Sequence, residues 1–139
     1  MNVLIVSRRE QTRAWVRSAL GPDFPAEDAD DGLAALARAR AGGIDLVVAD
    51  ETSEPYGAFG LCRELKLLPD APGVIVQLER AQDVWLAGWS GADRWFVQPV
   101  DPFELAAAAR EVTVARGGES STEPGVDGAV GDILEQVAG

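Results

Sequence analysis

Short apolar runs and helical stripes alternate along the chain from its first residues to about Arg116. Val3 to Val6 reads as a buried strand, and Gln11 to Leu20 carries Trp15, Val16, Ala19 and Leu20 at helical spacing. Gly21, Pro22 and Pro25 then break the chain; Ala26 to Ala29 reads as a weak polar strand, and Leu33, Leu36 and Ala37 mark a second helix stopped by Gly42-Gly43. Ile44 to Ala49 is an unbroken apolar run ending at Asp50, the pattern of a parallel strand covered on both faces. A helix over about Ala58 to Leu68 follows. The unit then repeats, with strands at Val74 to Gln77 and Arg94 to Val97 and helices at about Gln82 to Ser90 and Pro102 to Ala115. Asp101 before Pro102, with Glu104 three residues on, predicts a capping box at the start of that last helix.

Five strands alternating with five helices predict an α/β fold, a doubly wound parallel sheet joined by right-handed crossovers. Such sheets carry their functional crevice beyond the carboxyl ends of the strands, which directs attention to Ser7, Asp50, Gln77 and Gln98. Residues 1–116 make up this domain. Beyond it, residues 117–139 hold six glycines, five acids and no basic residue, the composition of an acidic, Gly-rich tail or linker. Val126, Val130, Ile133, Leu134 and Val137 share a helical face there, so a short C-terminal docking helix is the alternative, although Gly128 and Gly131 each weaken it by about 1 kcal/mol.

Composition narrows the function. A chain of 139 residues with 47% hydrophobic content supports one domain with a real core. Its apolar runs are too short to span a bilayer and no leader pattern opens it, so no membrane insertion and a cytoplasmic location are expected. With no histidine and a single cysteine, Cys62, an internal disulfide is excluded and the usual zinc ligands and general base are missing. Cys62, between Leu61 and Leu65, reads as a small buried hydrophobe. A net charge of −11 repels phosphate backbones, so nucleic acid is not an expected partner.

Several landmarks occur in order: Val3-Leu4-Ile5-Val6, Asp31-Gly32 before a helix, Asp45 to Asp50, Gly60-Leu61-Cys62-Arg63-Glu64-Leu65, Gly91-Ala92-Asp93, and Pro99 closing the fifth strand. Together, over residues 1–116, they resemble the receiver domains of bacterial response regulators. The resemblance implies the flavodoxin-like strand order 2-1-3-4-5. It also implies that Asp50 stands where the family accepts a phosphoryl group from a partner kinase. That transfer uses a magnesium ion held by an acidic pair after the first strand, and a lysine that holds the phosphoryl oxygens. Here the pair reads Ser7-Arg8, with Arg9 following, and the lysine position is Gln98. The position of the hydroxyl residue that ends the family's fourth strand is Gln77 or Leu78 here, and no serine or threonine lies anywhere between Val74 and Trp89. Magnesium binding is therefore expected to be lost or weak, no other cofactor is implied, and Arg8 or Arg9 is expected to pair with Asp50 in place of the metal. Glu51 and Glu54, in a loop longer than the family's, are alternative metal ligands. Gln98-Pro99 is expected to keep the family's cis peptide.

The family signals through its fourth helix, fifth strand and fifth helix, where Trp85, Trp89 and Trp95 fall. Trp95 matches the switch aromatic; Trp85 is read as a core residue, and Trp89 as either core or an exposed hot spot. The expected function is a phosphorylation-independent pseudo-receiver: not an enzyme, but a protein-protein interaction module in a bacterial signalling, polarity or motility complex, with a homodimer compatible. The alternative is an atypical receiver still phosphorylated at Asp50 by a histidine kinase. A flavodoxin-like enzyme or cofactor binder is the third reading; it lacks a glycine-rich phosphate loop after the first strand and, without histidine, a cobalamin ligand.

Overall fold

The computed structural model describes residues 1–118. In chain order the elements are β1 (Val3–Val6), α1 (Glu10–Leu20), β2 (Ala26–Ala29), α2 (Gly32–Arg40), β3 (Leu46–Asp50), α3 (Gly57–Lys66), β4 (Gly73–Leu78), α4 (Val84–Ser90), β5 (Arg94–Val97) and α5 (Pro102–Gly118). All strand pairs are parallel and the sheet order is β2-β1-β3-β4-β5. The expected doubly wound topology is therefore present. The tail reading, with its helical face from Val126 to Val137, lies outside the described residues, except that 117 and 118 belong to α5.

The pleat explains why the central strands read as continuous apolar runs. Val3, Ile5, Leu46, Val48 and Ile75 project to one side, against Val16 and Leu20 of α1 and Leu105 and Ala109 of α5. Leu4, Val6, Val47, Ala49, Val74 and Val76 project to the other, against Leu36, Leu61, Leu65 and Ala87 of α2, α3 and α4. Each face thus has its own core. β2 is an edge, and its exposed Glu27 and Asp28 are gripped by Arg38, through two bonds of 2.8 Å, and by Arg17 at 2.6 Å. The Arg38 hydrogen bonds hold the Glu27 carboxyl below its ordinary range. At Gly73 a Cβ would collide with Cγ1 of Val112, so glycine is what lets α5 settle onto β4.

Four expectations change. β3 starts at Leu46, because the Asp45 N–H is spent on the Asn2 carbonyl at 2.9 Å, and it runs through Asp50. α2 buries Gly32, Ala35, Leu36 and Ala39, so Leu33 and Ala37 face solvent; the Asp31 carboxylate caps Ala34 at 2.8 Å and sets that phase. α4 is preceded by a 3₁₀ turn, Ala81–Asp83, and presents Trp85 outward instead of into the core. At α5, Asp101 accepts from the N–H groups of Phe103 at 2.7 Å and Glu104 at 3.4 Å, but the reciprocal half of the capping box is not formed among the described residues.

Candidate functional site at the carboxyl ends of the strands

Beyond the carboxyl ends of β1 and β3 the chain leaves the sheet through Ser7 and Asp50, both buried. By the pleat, Ser7 continues the Val3, Ile5 row and Asp50 the Leu46, Val48 row, so their side chains meet on the α1 and α5 side. The Ser7 hydroxyl donates to Asp50 Oδ2 at 2.7 Å. On the other oxygen, Oδ1 accepts from the Thr52 N–H at 2.9 Å and from the Thr52 hydroxyl at 2.5 Å. Both hydroxyls are themselves oriented by backbone: the Arg8 N–H donates to Thr52 Oγ1 at 2.9 Å and the Arg9 N–H to Ser7 Oγ at 3.1 Å. Two relays from backbone amide to hydroxyl thus converge on one carboxylate.

The two arginines that follow Ser7 contribute backbone only. Arg8 reaches Glu54 at 3.5 Å and Arg9 reaches Glu79 at 3.9 Å, so neither forms the expected ion pair with Asp50. The cause is competition: both guanidinium groups are solvated and find exposed carboxylates on the rim, while short-range donors already take three of the roughly four acceptor sites of the Asp50 carboxylate. Glu51 turns the other way, accepting from the Glu79 N–H at 2.6 Å. Arg13, from α1, donates to the Ser7 carbonyl and pairs with Asp28 and Asp30. Among the described residues no three His, Cys, Asp or Glu side chains gather to hold a metal ion.

Gln77 is the register partner of Asp50 across β3 and β4, and it is buried. Gln98 follows β5, its N–H bonded to the Leu78 carbonyl at 2.8 Å, and the Gln98-Pro99 peptide is cis as expected; Glu54-Pro55 is cis as well. Ser7, Asp50, Gln77 and Gln98 therefore share one end of the sheet. Thr52 was not anticipated, although Asp-x-Thr is a signal in its own right, since an aspartate commonly accepts from the N–H two residues on.

A second surface lies on α4. Trp85 is 67% and Trp89 60% exposed, whereas Trp95 on β5 is half-buried against the core. The Arg63 guanidinium sits 4.1 Å from the centre of the Trp89 ring. Cys62 is fully buried, and burial pushes its thiol up to about 11, as suits an inert core residue.

Five parallel strands in this order, with an aspartate at the end of the third, define a receiver domain in fold. The chemotaxis response regulator CheY4 of Vibrio cholerae superposes with a TM-score of 0.71 at 22% identity, over 80% of this chain and 97% of that one. A CheY-like receiver domain protein of Methanospirillum hungatei gives 0.74 at 20% identity, over 85% and 97%. In sequence, the chain is 34% identical over 113 residues to an uncharacterized response regulatory protein of Mycobacterium tuberculosis, spanning 76% of this chain and 85% of that protein. The chain belongs to the response-regulator family. No family model matches it. Among the described residues no helix is long and apolar enough to cross a membrane.

Proposed function

We propose that this receiver is a phosphorylation-independent interaction module of the cytoplasm, with no catalytic role of its own. The observation that carries the reading is the engagement of both Asp50 oxygens by Ser7 and Thr52, on a strand end where, among the described residues, no cluster of three metal-ligating side chains forms. A magnesium ion needs oxygen ligands, usually including one or two carboxylates with a free lone pair, and phosphoryl transfer needs that ion to offset negative charge. A single carboxylate tied to neutral hydroxyls, with a glutamine where the family has lysine, does not suit the ion or the transfer. Signalling then runs through a protein partner on the face of α4, β5 and α5, where the exposed indoles of Trp85 and Trp89 supply the kind of area that dominates interfaces.

The test is intact-mass analysis after incubation with magnesium and acetyl phosphate. The unmodified mass is expected; a gain of one phosphoryl group that disappears in Asp50→Asn would establish the atypical, phosphorylated receiver instead.

A further inference from the structure

Gln77 occupies a position that the pleat assigns to an apolar residue. It follows Ile75 on the face that packs against α1 and α5, and it is 2% exposed. Its side-chain amide makes no hydrogen bond among the described residues, and its polar atoms are not sealed in the core but open onto a cleft of about 290 Å³. An amide this buried, with no partner in the protein, completes its hydrogen bonds only with what enters the cleft, water or a ligand that replaces it.

The rest of the cleft matches that group. The opening turns of α1 supply the Gln11 amide and the Thr12 hydroxyl, and the end of β5 supplies the Gln98 amide. Trp15, partly exposed, and Pro99-Val100 form its apolar walls. No charged side chain lines it, which disfavours an ionic ligand, because a charge enters such a space only with a counter-charge. Carboxamides recognise flat donor-acceptor edges by paired hydrogen bonds, as asparagine and glutamine do with adenine, and an indole supplies a face for stacking. The volume is at the lower limit of small-molecule sites, enough for one or two fused rings.

We propose that this cleft binds a small uncharged planar heterocycle carrying a donor-acceptor edge, the chemistry of a nucleobase or a cyclic amide. Asp50 does not line the cleft, so this site stands whether or not Asp50 accepts phosphate. The test is a titration of the ¹⁵N-labelled protein, without magnesium or phosphodonor, with adenine, uracil and nicotinamide as probes and benzene as an apolar control. Saturable shifts of the Gln77 side-chain amide and the Trp15 indole N–H are expected with at least one heterocycle and not with benzene. Gln77→Leu should weaken that binding about tenfold or more. Gln98→Leu serves as the second variant if Gln77→Leu fails to fold, and Leu67→Ala, at an exposed position that does not line the cleft, should leave the shifts unchanged. Absence of saturation with every heterocycle, equal binding of benzene, or binding insensitive to the glutamine substitutions would each overturn the proposal and leave a merely hydrated cleft.

Discussion

At Asp50 the competition for a buried carboxylate is decided by distance along the chain. Thr52 is two residues away and Ser7 sits on the neighbouring strand, so both donors are delivered by backbone geometry with little side-chain entropy to lose. Arg8 and Arg9 would have to order long side chains into the interior, and they settle on the rim instead. Thr52→Val keeps the shape but strips one hydroxyl from the carboxylate, so unfolding by urea should show a loss of about 1–3 kcal/mol; unchanged stability would mean that the relay contributes nothing. Cys62 gives a prediction about pH. Its thiol titrates near 11 in the folded protein, above the ordinary 9.0, so between those values the unfolded chain loses the proton first and stability falls as pH rises. Denaturant midpoints at pH 8 and pH 10.5 should show a steeper fall in the wild type than in Cys62→Ala, and parallel curves would contradict the buried assignment. At this scale the apolar runs place Ser7, Asp50, Gln77 and Gln98 within one residue of a strand's carboxyl end, as in the structure, although β4 runs on to Leu78. Where Arg8 and Arg9 would go was not legible, since long charged side chains choose partners, Glu54 and Glu79, that lie far along the chain.

The elements differ in how much of their packing a pattern reveals. β1, β3 and β4 are buried on both faces and could only read as apolar runs, whereas α2 and α4 have two or three turns each and their phase rests on one or two residues. That is why Leu33 and Trp85 were assigned inward: a spacing of four residues fits either face of a short helix, and the choice is made by the Asp31 cap and by the turn at Ala81–Asp83. The outward tryptophans carry a stability prediction. Trp85→Ala should change the unfolding free energy by no more than about 0.5 kcal/mol, as for an ordinary surface position, while Trp95→Ala, which removes packing against the core, should cost about 3 kcal/mol. Gly73→Ala places a methyl group into Val112 where α5 meets β4, with an expected loss of about 1–3 kcal/mol in the same assay. A neutral result there would mean that α5 can move away from the sheet freely.

For the whole molecule, the family supplies the frame and the residues at one end of it set the chemistry. The frame tolerates wide divergence: the solved receivers superpose at identities of 20–22% because buried apolar runs and short crossovers suffice to define it. The site does not, since ion binding depends on the sign of a few side chains. Ser7→Asp, Arg8→Asp and Gln98→Lys introduced together place an acidic pair and an ammonium around Asp50, and on the proposed reading calorimetry should detect magnesium binding by this variant and none by the wild type. The most direct measurement is a crystal structure of the wild-type protein grown with magnesium and beryllofluoride. Asp50 Oδ2 held by Ser7 and Oδ1 by Thr52, with no metal or fluoride density beside them, is the expected result; a magnesium ion and a beryllofluoride group on Asp50 would contradict it.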